Sequence, residues 1–540
     1  MSARRMRLSN AVLGVLLTVL LVHTLVYWQP QKQHVAALVL DWAAGPAGDG
    51  VAEEAYLDKL VQHYGLTQQT QWRALRVRQS AWTESESPLT DVGVDFGNLP
   101  GSLVDLTAQA ANRSDLLRAS HRLGLPVRRG RRVADADPSH FLFSLSTTYE
   151  RIATHNWALL HSWQRWLTRP DGHGRHTNGA AFVLMLDKAT DEQLRVADQR
   201  LMAAGIEAYV VATNDAMSMA TRYHELARIA KAYAATLAAS GQLKRWYAFV
   251  DDAVFFPSLT LLAERLAAYD ANELIFVGLP SERADWYPQG HDNTMTTHGG
   301  GAVVVSRSAL AAIAHSPCLE TSVKGPPPVR PRSWDAQLSD CARHRSGMAM
   351  HMLPGLYSPH HDDDHDHDHD AHAEHDGKAR QVSSSEETGV RPLVLHDFRS
   401  RHGVDPVMAH TVADACGDAC FMQRYLFRDN WILINGVSIS HHPDGLDRRP
   451  PKPSLPNQAP PLRQKRVSPD IIVNDAANAD IAQYRLISKG RRHVWTLLDS
   501  STDAVDGSVW QAYVKRASND PESAGMDSVI VLVWENAVPR

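Results

Sequence analysis

The chain has 540 residues, 44% of them hydrophobic and 21% charged, with a formal net charge of -5 at pH 7. A chain of this length and apolar content can bury a substantial core and is expected to divide into more than one domain. With so small a net charge, nothing in the composition points to nucleic-acid binding.

Residues 8–28, LSNAVLGVLLTVLLVHTLVYW, carry no acidic or basic side chain other than one histidine. As a helix they rise roughly 30 Å, enough to cross a hydrocarbon core. Arg4, Arg5 and Arg7 precede the run and only Lys32 follows closely. The positive-inside bias therefore keeps residues 1–7 cytosolic and sends the rest to a lumen, with Tyr27 and Trp28 at the far interface. A cleaved signal peptide is the competing reading. The apolar run is longer than an h-region of about 7–15 residues, and no small-x-small site follows at once, which favours a single-pass anchor. Residues 29–138 mix short amphipathic pieces with Gly and Ser and read as a stem. Asn112, followed by Arg113 and Ser114, is a glycosylation sequon compatible with a luminal position.

From Ser139 the pattern changes to alternating strands and helices. Strands are predicted over 141–146, 181–186, 208–212 and 246–250, with a helix through Leu167 and a long Ala-rich helix ending near Ser240. Thr190 and Gln193 have capping-box spacing, and the helix they open is expected to end at Gly205. This βαβα order implies an α/β fold: a mostly parallel, Rossmann-like sheet with helices on both faces.

The fourth strand runs directly into acid: residues 246–257 read WYAFVDDAVFFP. In open α/β sheets the ligand crevice lies at the carboxyl ends of the strands, so Asp251 and Asp252 stand at a rim where a metal ion and a phosphate can meet. An acidic turn closing a buried strand has the same pattern. A helix over 259–269 and a strand over 274–277 follow, then HGGGAVVVS at 298–306. Gly299, Gly300 and Gly301 precede a strand and lack a following Lys-Ser/Thr, so this is no P-loop. They permit close backbone approach to something bound, or form a plain tight turn.

The remaining chain has two breaks. Residues 360–376, HHDDDHDHDHDAHAEHD, hold little besides imidazole and carboxylate, and with the polar run to 390 they cannot build a core. The stretch reads as a solvated disordered insertion, or as a weak binder of divalent transition metals. Residues 446–469 are rich in Pro and basic residues and read as an extended linker. Beyond it, alternating apolar segments in 470–540 predict a small β-rich appendage. Of the four cysteines, Cys318 and Cys341 flank a Pro-rich turn, while Cys416 and Cys420 lie close together. They form two local disulfides in an oxidising compartment, or remain buried thiols in a reducing one.

Taken in order, WYAFVDDAVFFPSL, LPSE at 279–282, HGGGAVVVSRSAL at 298–310, WDAQLSDCA at 334–342 and PLVLHDF at 392–398 resemble the fringe-like β-1,3-type glycosyltransferases, especially their fungal branch. CGDACFMQR at 416–424 and ING at 434–436 add to the likeness, which covers about residues 139–440. The resemblance implies a GT-A domain over 139–445, a UDP-sugar donor, a glycan acceptor, and a divalent cation, usually Mn²⁺, bridging carboxylate and diphosphate. It implies a type II Golgi membrane protein, with the endoplasmic reticulum as the alternative site. Asp335 falls where the family has its general base, and His396 where it has a metal-ligating imidazole. Asp251 and Asp252, with the glycines, fall where it holds the nucleotide-sugar, and Asp252 is left as a metal ligand. The family's acidic triplet is broken, because its third and metal-binding position is Ala253. Three outcomes follow from the missing ligand: a transferase with altered metal dependence, one that substitutes Asp252 and His396, or an inert relative that binds without transferring.

Overall fold

Two sheets organise the chain in the computed structural model, which describes residues 51–81, 89–99, 101–106, 116–117, 121–127, 137–171, 174–213, 217–278, 301–316, 333–353, 356, 392–396, 405–417, 420–449, 464–468, 471–474, 485–503, 506–517 and 525–536. The expected anchor at 8–28, the sequon at Asn112, Gly299, Gly300, Cys318 and the His/Asp tract lie outside these residues. Among the described residues no helix is long and apolar enough to cross a membrane.

The first sheet has nine strands, in the spatial order Gln464–Ser468, Ile471–Asn474, Met350–Met352, Phe276–Gly278, Ala302–Ser306, Trp246–Val250, Phe141–Thr147, Ala181–Asp187 and Ala208–Thr213. Five neighbouring pairs are parallel and three antiparallel, so the sheet is mixed rather than wholly parallel. Its central strands are buried on both faces, and their side chains divide with the two-residue period of a strand. Phe141, Phe143, Leu145, Trp246, Ala248 and Val250 join one core, which Trp163 and Trp166 of helix Tyr149–Leu167 and Leu262 of helix Leu259–Leu266 cover. Leu142, Tyr247, Phe249, Val303 and Val305 join the other, under helices Met219–Ala239, Arg307–His315 and Trp334–Ser346. Helices thus lie on both faces. The capping box at Thr190 and Gln193 forms, and its helix, Asp191–Ala203, ends just before Gly205, where φ is +77°.

The second sheet departs from the expected division into stem, linker and appendage. Its nine-strand path runs Leu89–Val92, Arg424–Phe427, Trp431–Ile434, Ser438–His441, His493–Thr502, Val509–Lys515, Asp527–Trp534, Gln69–Ala81 and Ser102–Asp105, and His121–Val127 also pairs with Gln69–Ala81. Strands from the expected stem therefore lie beside the C-terminal strands in one continuous sheet, Trp72 opposite Val529 and Val77 opposite Trp534. The cause is apolar surface on both faces of the last strand. Ile530, Leu532 and Trp534 enter one core and Val529, Val531 and Val533 the other, a demand that a free-standing small appendage could not meet. The linker is likewise structured at both ends: Leu446–Arg449 pairs with Arg485–Ser488, and Gln464–Ser468 is the edge of the first sheet.

Cys416 and Cys420 are joined in a disulfide. Cys341 is also disulfide-bonded. The two sheets meet near the first of these bridges. Phe255 stacks on His410 at 5.3 Å between ring centroids and meets Phe421 edge-on, while Arg165 pairs with Asp414.

Candidate functional site

One reversal of the chain's travel across the first sheet falls at strand Phe141–Thr147. From Phe141–Thr147 it steps outward to Ala181–Asp187 and Ala208–Thr213, then returns to lay Trp246–Val250 on the other side of Phe141–Thr147. The carboxyl ends of strands 141–147 and 246–250 flank this switch point, where α/β sheets open a ligand crevice. One strand delivers Thr147, Thr148 and, on the first turn of the following helix, Arg151. The other delivers Asp251, Asp252 and Ala253.

The two adjacent carboxylates have different surroundings. Asp252 turns inward, with 6% of its side chain exposed. Its Oδ2 accepts a hydrogen bond from Thr147 Oγ1 at 2.5 Å and another from Arg151 Nε. Its backbone carbonyl accepts from the buried indole of Trp163 at 3.0 Å. Asp251 stays partly open, its side chain 27% exposed, with Oδ2 3.4 Å from His396 Nε2 and Oδ1 accepting from the Asp252 backbone N–H at 2.9 Å. Burial pushes the Asp251 carboxyl upward. The hydrogen bond and charge of His396, the Asp252 N–H and the Arg151 cation together outweigh that, holding it below its ordinary value.

His396 is brought to the rim by a short antiparallel pairing, Val254 with His396 and Phe255 with Leu395. Its ring lies against Gly301, whose φ is +84°. A Cβ at that glycine would fall 2.4 Å from the ring Cγ and 2.6 Å from Nδ1. The carbonyl of Gly301 accepts the Asp251 backbone N–H at 2.9 Å, so the glycine sets the strand end and the imidazole at once. The close approach foreseen for the glycine run is thus seen at Gly301, and what approaches is the protein's own His396.

Asp335 occupies the first turn of helix Trp334–Ser346 and is buried. That helix is tied to the same strand end. Trp334 stacks on Tyr223 at 4.0 Å and 12°, and the Tyr223 hydroxyl donates to the carbonyl of Val250 at 2.5 Å. Burial raises the Tyr223 pKa well above its ordinary value, and the nearby charges of Asp251 and Asp252 raise it further.

The expected metal pair is Asp252 with His396. The structure gives Asp252 to Thr147 and Arg151, and brings His396 to Asp251. Among the described residues no three His, Cys, Asp or Glu side chains are placed to share a metal ion. A hard divalent cation asks for several oxygen donors free of other partners, and Asp252 together with the methyl group of Ala253 does not fit that demand.

Thr147, Arg151, Trp163 and Tyr223 are absent from the sequence expectation. A local signal existed for Arg151 alone: a cation at the third position of a helix sits against the positive end of the dipole, and such a local conflict calls for a partner elsewhere.

No family model matches the chain and no curated protein matches it. Among solved structures, a nucleoside-diphosphate-sugar pyrophosphorylase from Vibrio cholerae is 10% identical over 39% of this chain and 90% of its own, with a TM-score of 0.26. Mouse xyloside xylosyltransferase 1 is 12% identical over 38% of this chain and 76% of its own, with a TM-score of 0.19. A glycosyltransferase involved in glycosylation of the major capsid of PBCV-1 is 8% identical over 34% of this chain and 70% of its own, with a TM-score of 0.18. Likeness this distant says nothing about activity, and the site has to be read from its own residues.

Proposed function

We propose that the protein is an inverting glycosyltransferase that moves a sugar from a UDP-sugar to a hydroxyl group of a glycan acceptor, as a type II Golgi membrane protein. The single observation carrying this reading is the convergence of Asp251, His396 and Gly301 at the carboxyl end of a central strand, at a switch point of the sheet, beside the helix whose first turn holds Asp335. The fringe-like order of the motifs supports it.

In the proposed reaction the acceptor oxygen forms a bond to the anomeric carbon as the bond from that carbon to the diphosphate oxygen breaks. The electron pair leaves with UDP, and the hydroxyl proton passes to the Asp335 carboxylate. A base of this kind must reach the acceptor proton, and its position on a helix fastened to the strand end through Trp334 and Tyr223 provides a rigid mount. Asp251, kept ionised, is placed to accept hydroxyl groups of the donor.

The full-length protein, incubated with a panel of UDP-sugars and glycan acceptors, should release UDP with formation of an elongated acceptor. Asp335→Asn should abolish that release while leaving UDP affinity within a few-fold, because it removes the proton acceptor and keeps the size of the side chain. Binding of UDP without transfer by the natural protein would replace this reading with the second one, a binding or scaffolding relative, which the pairing of Asp252 with Arg151 and the lack of a donor at Ala253 favour.

A further inference from the structure

We infer that Arg151 is the resident cation of this rim, so that the nucleoside diphosphate binds to a guanidinium rather than through a divalent metal. This rests on the nucleotide-sugar reading above and adds to it the residue that meets the diphosphate.

Three observations converge on Arg151. The first is the donor set: Asp252 is held by Thr147 and Arg151, and Ala253 offers no oxygen, so among the described residues the carboxylates form no three-ligand metal cradle. The second is the disposition of the guanidinium. Its Nε faces Asp252, while the side chain remains 57% exposed and its two terminal nitrogens make no hydrogen bond among the described residues. A planar fork held at one edge and open at the other is suited to two parallel hydrogen bonds to a phosphate. The third is its position on the first turn of the 19-residue helix Tyr149–Leu167, where the dipole adds positive potential beside the Thr148 cap, with Glu150 on the same turn. A cation costs energy there unless anions face it. Asp252 is one, and a ligand phosphate is the second.

The charge balance supports the assignment. Asp251, Asp252 and Asp405 all act on Arg151. Among the described residues, the charged groups at the rim besides the guanidinium are carboxylates and His396, a set that by itself repels a diphosphate. With the guanidinium, Asp252 is neutralised, and the charge developing on the departing UDP oxygen falls beside a fixed cation in a partly dehydrated crevice. Asp252 is then a positioning residue that aims Arg151, which explains why its carboxylate is turned inward.

The test is calorimetric titration of the full-length protein with UDP, in excess EDTA and then in Mn²⁺. The natural protein should bind equally, to within about twofold, in both, because removing a metal takes away no bond in this arrangement. Arg151→Gln should weaken binding about ten- to hundredfold, the loss expected for a charge-assisted pair of hydrogen bonds, and Arg151→Lys should recover part of it. The melting temperature of each variant checks folding: Arg151→Gln, which takes the counter-charge from buried Asp252, should lower it while keeping a cooperative transition. Mn²⁺ dependence of tenfold or more in the natural protein, or unchanged UDP affinity in a folded Arg151→Gln, would overturn the inference and leave the glycosyltransferase reading standing. No UDP binding in either condition would overturn both.

Discussion

Replacing Gly301 by alanine separates two costs that the site imposes on one residue. At φ +84° an L-residue carries a backbone strain of roughly 1–2 kcal/mol. The new methyl would also lie 2.4, 2.6 and 2.8 Å from three atoms of the His396 ring, closer than any tolerated contact. The imidazole, with 5% of its side chain exposed, has little room to retreat without breaking the Val254–His396 pairing. Overpacking of this kind costs roughly 1–3 kcal/mol, so the total, after the reduced entropy of the unfolded chain is subtracted, is about 1–4.5 kcal/mol. Gly347 provides the control. It closes helix Trp334–Ser346 at φ +63°, yet nothing lies within 4 Å of its would-be Cβ. Gly347→Ala therefore pays strain alone, about 1 kcal/mol after the reduced entropy of the unfolded chain is credited. Urea unfolding followed by tryptophan fluorescence, together with UDP calorimetry, measures both variants. Gly301→Ala should be the less stable and should also weaken UDP binding by displacing His396 from Asp251. Equal destabilisation by the two substitutions would show that the ring is free to move, and would refute the view that Gly301 fixes the imidazole.

Two further outcomes follow from the same geometry. Tyr223→Phe leaves the carbonyl of Val250 without its 2.5 Å donor in a buried setting, and should cost about 1–3 kcal/mol in urea unfolding with the Trp334 stack retained; a change under about 0.5 kcal/mol would mean that the hydroxyl does not tie the Asp335 helix to the strand end. Asp251 has a folded-state pKa below its ordinary value, so its stabilising contribution is complete above the ordinary carboxylate pKa and is lost as pH falls through the depressed one. Asp251→Asn should accordingly flatten the acid limb of stability against pH compared with the natural protein; parallel acid limbs would show that the His396 contact contributes no net charge stabilisation.

Much of the first sheet was legible because its signals are local. The apolar runs at 141–146, 181–186 and 246–250, the capping box at Thr190 and the glycine past the helix end each depend on neighbours within a few positions, and the structure places those elements within a residue of where the pattern implied. Asp251 at the strand end and the disulfide of Cys416 with Cys420 were legible for the same reason. The partner of each side chain was not. Asp252 meets Arg151 across 101 positions, His396 arrives at Asp251 from a segment beyond the His/Asp tract, and the backbone of Thr67 bonds the Asp527 carboxylate across 460. The local pattern brings two carboxylates to the end of a buried strand of an α/β sheet. Packing of distant segments gives one of them an arginine and the other a histidine, and puts the expected stem and appendage in one sheet. The physical reason is one of range: periodicity and capping select a backbone conformation within a few residues, whereas ion pairing and strand addition depend on which buried surfaces and charges meet once distant segments have packed.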